Sequence, residues 1–370
     1  MLTKYKKEIS YCTYCPKLCR FACPVTNAEC RETVAPTTKM VFLHLVRAGA
    51  VDLTAEEADI FHRCLGCRLC RAYCKHRIDV GEIMISARAE AVLKGAAPEH
   101  VRSFIHKYRS AGNPYGVKLR EKLDALRQER RINKSAPAIL YISPSNLEHY
   151  PETAERLIKM MEMCGRDFAV YGGDPLGCGS AALYAGDTET FGAMAKKVAA
   201  VLNRYETVIS ADPDALSVMK EKYPEAGAKI SGKLLHATEW MAEQARGGRL
   251  QFDAKTSERV MYHDPCHLAK YLGVLDPPRE LLDRRFYRDN ILEFSWNRDK
   301  NYCCGGGSLL PVAAPDTALA VAGKRLEEYR EAKPDLLVTA CPSCRRMFEK
   351  ADPSVKTADL IDLVFAHLKK

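Results

Sequence analysis

The sequence predicts a chain of mixed class: an α+β, mainly helical N-terminal unit, followed by a duplicated α/β unit. Three observations predict it. Two strings of four cysteines lie between Cys12 and Cys74, among segments with helical patterning. From Ala136 onward, short β-rich runs alternate with helical stretches, the pattern of a mostly parallel sheet. Three motifs in that region recur in the same order, which marks an internal duplication.

The first string is Cys12, Cys15, Cys19 and Cys23, followed by Pro24. The second is Cys64, Cys67, Cys70 and Cys74, spaced C-x2-C-x2-C-x3-C as in two-cluster ferredoxins. Three close cysteines wrap one corner of an iron–sulfur cube, and the fourth reaches the other cube. Cys12, Cys15, Cys19 and Cys74 are therefore expected at one [4Fe-4S] cluster. Cys64, Cys67, Cys70 and Cys23 are expected at the other. The added residue before Cys19 leaves the first site open to a four-iron or a three-iron cluster. Structural zinc sites pair two C-x2-C knuckles across a longer gap, so zinc fits less well. This ferredoxin-like unit is expected over 1–95, with helices over Thr54 to Arg63 and Gly81 to Lys94. Thr54 is a candidate N-cap and Glu57 its capping-box partner.

The segment 96–135 reads as a charged helical linker, broken by the turn Gly112-Asn113-Pro114-Tyr115-Gly116. Strands are then expected over Ala138 to Ile142, Phe168 to Tyr171, Thr207 to Ile209, Val260 to Tyr262 and Leu336 to Thr339. The repeat aligns Tyr141 to Leu147 with Tyr262 to Leu268. It aligns Gly177-Cys178-Gly179 with Cys303-Cys304-Gly305, and Val208 to Ala215 with Leu337 to Cys344. The second copy, 251–370, carries cysteine at 266, 303, 304, 341 and 344. The first copy, 136–250, has Ser145, Gly177, Cys178, Asp212 and Ala215 there. A lone thiolate holds no cluster, so the first copy is expected to be an empty scaffold packed on the second.

In the second copy five cysteines converge from three loops, beside Gly305, Gly306 and Gly307 or just after a strand, where α/β sheets place ligands. A third metal site is expected. A zinc site or a thioredoxin-like dithiol at Cys341 and Cys344 leaves the other three cysteines unexplained.

This arrangement, with His-Asp-Pro-Cys-His before it, resembles the cysteine-rich CCG domain, found in pairs in heterodisulfide reductase subunits. The whole chain resembles their membrane-type D subunit. It is also similar to the iron–sulfur subunits of glycolate oxidase and anaerobic glycerol-3-phosphate dehydrogenase. The resemblance implies a noncubane four-iron cluster held by Cys266, Cys303, Cys304, Cys341 and Cys344. It also implies a duplicated CCG domain pair; the departure from the family is the first member, whose ligands are lost. Lys75 stands where the family has proline after Cys74.

Other residues carry weaker expectations. His263 and His267, which flank Cys266, are read as packing or supporting groups rather than ligands. Cys30 is read as a free thiol, Cys164 as core, and Cys178 as a relic. Arg345 and Arg346 either bind an anionic substrate or face water. The net charge is +9, and Lys4, Lys6, Lys7, Arg20, Arg63, Arg68, Arg71, Lys75, His76 and Arg77 surround the cysteine strings. They offset an added electron or steer an acidic redox partner, if they are not simply a solvated face.

Sixteen cysteines, thirteen of them in metal-like spacings, imply a reducing, cytoplasmic compartment, with any membrane association through a partner. Neither a secretory h-region nor an apolar run long enough to span a membrane is seen. The dinucleotide fingerprint is also missing, so neither NAD nor flavin is expected in this chain. Nor is nucleic-acid binding, since no recognition module accompanies the charge.

The leading expectation is an electron-transfer subunit of a hetero-oligomeric redox complex, with a flavoprotein or membrane cytochrome as partner. The rivals are a catalytic disulfide reductase at the third cluster and the iron–sulfur subunit of a flavin-dependent 2-hydroxyacid or glycerol-3-phosphate dehydrogenase. A zinc-stabilised interaction module is the third.

Overall fold

A computed structural model describes residues 2–17, 19–127 and 136–369. The part of the expected linker at 128–135 lies outside the described residues.

The N-terminal region is helical. Helices span Lys6–Thr13, Pro24–Glu29, Pro36–Arg47, Ala55–His62, Leu69–Ala72 and Val80–Leu93. Thr54 and Glu57 form the capping box that opens Ala55–His62. Ile9, Met40, Leu43, Phe61, Ile83 and Met84 form the core of this bundle. The segment after it folds as Glu99–Ala111 and Arg120–Arg127, separated at Gly112, which takes the left-handed conformation (φ 67°).

Each α/β copy builds a four-stranded, all-parallel sheet. The first contains β1 (Ala138–Tyr141), β2 (Phe168–Val170), β3 (Thr207–Ser210) and β4 (Lys233–His236), in the order β2-β1-β3-β4. The second contains β5 (Val260–His263), β6 (Ile291–Glu293), β7 (Leu336–Thr339) and β8 (Thr357–Asp359), in the order β6-β5-β7-β8. Strand order is the same in both copies, but against the aligned repeat the central register differs by one residue: Tyr141 pairs with Ser210, whereas its counterpart Tyr262 pairs with Val338. Sequence reading finds five strands. The three it misses, β4, β6 and β8, are short edge strands with exposed or half-buried residues, so they lack a continuous apolar run.

The two copies share one core, in which Leu140, Ile209 and Trp240 join Val260, Tyr262 and Val338. A second core fills the outer face of the first copy, under Val101, Phe104 and Tyr108. A third joins the outer face of the second copy to Ala22, Val25, Leu65 and Leu69 of the N-terminal region. The helical region is thus anchored on the cysteine-bearing copy. In both sheets strand order reverses at the central pair, so the crevice for a ligand lies beyond the carboxyl ends of β1/β3 and β5/β7.

Candidate metal centres

The first three cysteines of the N-terminal string meet the last cysteine of the second. Cys12 lies in the helix Lys6–Thr13 and is buried. Its thiol is pushed up to about 12 by burial, then by Cys19, Cys74, Cys15 and the Glu8 carboxylate. Cys19 is pushed up to about 11 by burial, then by Cys74 and Cys15.

The converse group forms around Cys64, Cys67 and Cys70. Together with Cys23 they line a small pocket that also includes Lys39, Arg68 and Gly81. Gly66 (φ 61°) and Arg68 (φ 57°) both adopt the left-handed conformation, which curls the chain round the pocket. The Gly66 amide donates to the Cys64 sulfur at 3.5 Å. Burial raises Cys70 well above the usual thiol range, and Cys67, Cys64 and Cys23 add to it. Burial also raises Cys64, against the pull of the Lys39 and Arg88 cations.

The third group lies at the carboxyl end of the second sheet. Cys266 follows β5 and precedes a π-helical turn, His267–Leu272. Cys303 and Cys304 follow β6. Cys341 caps the helix Pro342–Ala351 just past β7, and Cys344 sits in its first turn. All five are 1–5% exposed. Gly305 (φ 90°) permits the close turn, since a Cβ there would stand 2.2 Å from the Ala318 carbonyl oxygen. The Gly306 amide donates to the Cys304 sulfur at 3.5 Å.

The flanking histidines part company. His263 is wedged edge-on between Phe294 and Phe348, and a ring nitrogen lies within 4.8 Å of the Cys304 and Cys344 sulfurs. Burial lowers its basicity, against the pull of the neighbouring Cys304. His267 turns to the other copy: Nδ1 is 2.7 Å from Ser217 Oγ, and the ring stacks on Tyr271.

A cavity of about 330 Å³ separates the two copies. Cys266, Cys304, Cys341 and Cys344 form one wall, and Ser145, Cys178, Asp212 and Asp214 form the other. The first copy is therefore more than a scaffold, because its degenerate ligand positions face the third centre. Sequence comparison between the copies locates these positions but gives no sign that the two sites share one space. Burial and the Asp214 carboxylate raise Asp212 to about 6.

The expectation for Arg345 needs correcting. It neither faces water nor is free for substrate: it stacks on Tyr150 and donates to Glu349 and Asp362, both at 2.9 Å. Cys30 is exposed, with φ 52°, and Cys164 is partly buried against the shared core.

The N-terminal region and the second copy meet at the second and third cysteine groups. Cys67 is drawn down by its contact with Cys303, while Cys303 is pushed up by Cys266, Cys304 and Cys67. The Tyr271 hydroxyl donates to the Gly66 carbonyl at 2.5 Å. Arg68 stacks on Tyr271 at 3.5 Å and makes a bidentate ion pair with Glu221.

Two cysteine quartets and a five-cysteine α/β site at a sheet's carboxyl end define an iron–sulfur oxidoreductase. Residues 141–220 and 260–349 both match the cysteine-rich domain CCG. The chain is 25% identical to the D subunit of the dihydromethanophenazine:CoB–CoM heterodisulfide reductase of Methanosarcina acetivorans, over 94% of this chain and 90% of that protein. It is 26% identical to a probable membrane-anchored ferredoxin of Chromohalobacter salexigens, over 84% of this chain and 49% of that protein. In fold it resembles a hypothetical protein from Helicobacter pylori. That match has a TM-score of 0.53 and 10% identity, covering 100% of this chain and 76% of the other. No helix among the described residues is long and apolar enough to cross a membrane.

Proposed function

We propose that the chain is the electron-transfer subunit of a hetero-oligomeric redox complex, with ferredoxin-like (1–95), linker (96–135), degenerate CCG (136–250) and intact CCG (251–370) segments. Cys12, Cys15, Cys19 and Cys74 hold one [4Fe-4S] cubane. Cys64, Cys67, Cys70 and Cys23 hold a second. Cys266, Cys303, Cys304, Cys341 and Cys344 hold a noncubane four-iron cluster. Bound clusters supply one-electron storage; the chain's residues bury them, donate amides to their sulfurs and set their spacing. The observation that supports this reading is that Cys67 of the second group and Cys303 of the third pack in one buried cluster at the seam. The residues also fit an anionic group: buried Lys39 and Arg88 beside the second quartet call for negative charge.

The partner is a flavoprotein or a membrane cytochrome. Exposed Tyr11, Tyr14 and Phe21 flank the first quartet among exposed Lys6, Lys7, Lys17 and Lys75, a face suited to an acidic partner. Anaerobically prepared protein is expected to contain about a dozen iron and sulfide per chain and to give reducible paramagnetic signals. Far less of both after reconstitution, or zinc instead, overturns the reading.

The cavity favours a second reading, cleavage of a disulfide at the third centre. It opens directly onto Cys266, Cys304, Cys341 and Cys344 and has room for a small substrate. Turnover of a heterodisulfide by the reduced chain alone would establish it. No turnover, with fast electron exchange to a purified partner, leaves the relay.

A further inference from the structure

Two cations are buried at the second quartet without a counter-ion. Lys39 is 1% exposed, and its ammonium donates only to the Val34 and Arg63 carbonyls, both at 2.6 Å. It lines the same pocket as Cys23, Cys64, Cys67 and Cys70. Arg88 is also 1% exposed. Its guanidinium donates to the carbonyls of Cys64 (2.8 Å), Phe61 (2.9 Å) and Tyr184 (3.1 Å), and to Ser308 Oγ. Among the described residues neither cation meets a carboxylate.

An uncompensated buried charge costs several kcal/mol, so such charges are normally paired or set against a metal centre. Four thiolates around an iron–sulfur cube leave it net negative in both oxidation states. The missing counter-charge is therefore that of the cluster itself.

The first quartet has the opposite environment. Glu8 stands beside Cys12, and its Oε2 is buried without a hydrogen-bond partner. The cations around this quartet, Lys6, Lys7, Lys17 and Lys75, are exposed, so water and salt screen them.

Resting on the cluster assignment above, we propose that Lys39 and Arg88 make the second quartet the electron-accepting site of the pair, while Glu8 keeps the first a donor. Charge near a cluster moves its potential, and buried charge moves it most. One electron leaves the first site as one arrives at the second, where it rests beside Cys303. The original donor to the first site is an external one-electron carrier protein. Lys39 and Arg88 are positioning charges: they act on the energy of the electron, not on a substrate.

The test is an anaerobic redox titration of the full chain, following each cluster's paramagnetic signal, with iron and sulfide measured on the same samples. In the wild type the second-quartet signal, identified by its loss in Cys70→Ser, is expected at the higher potential. Lys39→Gln should move that midpoint to lower potential and leave the other in place. Glu8→Gln should raise the first midpoint alone, which tests the idea even where the Lys39 variant fails to fold. Lys7→Gln, an exposed charge, should move neither. Clusters present with the order reversed, or with both midpoints unmoved in the Lys39 and Glu8 variants, overturn the charge assignment and leave the relay intact. Wild-type protein without iron and sulfide overturns both.

Discussion

Cys67 and Cys303 pack in one buried cluster across the seam between the helical region and the second α/β copy, and each shifts the other's thiol. They are 8% and 1% exposed. The two residues are far apart in sequence and belong to different cysteine groups. Their packing brings the second cysteine group against the third. The first quartet lies at an exposed aromatic and basic face, the second lies inside, and the third opens onto the cavity between the copies.

The cysteine strings cross over, and single substitutions should report it. Cys74→Ser is expected to disturb the signal of the Cys12, Cys15 and Cys19 site and spare the other. Cys23→Ser should do the reverse. Each loses up to about four iron per chain, by analysis and paramagnetic resonance. If each substitution instead affects its own string, the crossed pairing is wrong.

The seam depends on close backbone approach at Gly307. A Cβ there would stand 2.5 Å from the Leu65 carbonyl oxygen. Gly307→Ala should force the helical region away from the second copy. Full iron content with slowed reduction of the third centre in stopped-flow mixing is the expected outcome. Unchanged kinetics would mean that the seam does not carry the electron.

Cys178 is the only cysteine left at the degenerate positions of the first copy, and it is buried. Cys178→Ala should leave iron content unchanged and cost roughly 1 kcal/mol of stability in urea unfolding. Cys304→Ala should lower the iron content and remove the third signal. Equal iron loss in both would assign a cluster to the first copy.

Asp359 is buried, and burial, with Asp362 close by, raises it from 3.8 to about 7. Between those values the folded chain holds a proton that the unfolded chain releases. Stability therefore falls as pH rises through this window, and the loss is complete above about 7. Asp359→Asn keeps an acceptor for the Ile361 amide and removes the penalty. The variant should exceed wild type by on the order of a few kcal/mol near pH 8, and the gap should narrow near pH 5.5. A pH-independent difference in urea midpoints would rule this out.

Several features are legible from particular residues. The spacing from Cys64 to Cys74 is that of a ferredoxin string, and it is legible because the pattern is local. The Thr54–Glu57 box starts its helix because both partners are local. The central strands show as apolar runs because both of their faces are buried. The edge strands do not, since Lys233, Ile291–Glu293 and Thr357 are exposed or half-buried. The surroundings of Arg345 are not legible in this way, because its partners Tyr150 and Asp362 come from other segments of the chain.

The sequence alone located the cysteine strings, the internal repeat and the shortage of cysteines in its first copy, since spacing and repetition are local patterns. Tertiary structure alone decided that Cys67 meets Cys303, that the degenerate positions wall the cavity, and that Lys39 and Arg88 lie buried beside one quartet and Glu8 beside the other. Those relations depend on which faces pack together, and packing joins residues that no spacing rule connects.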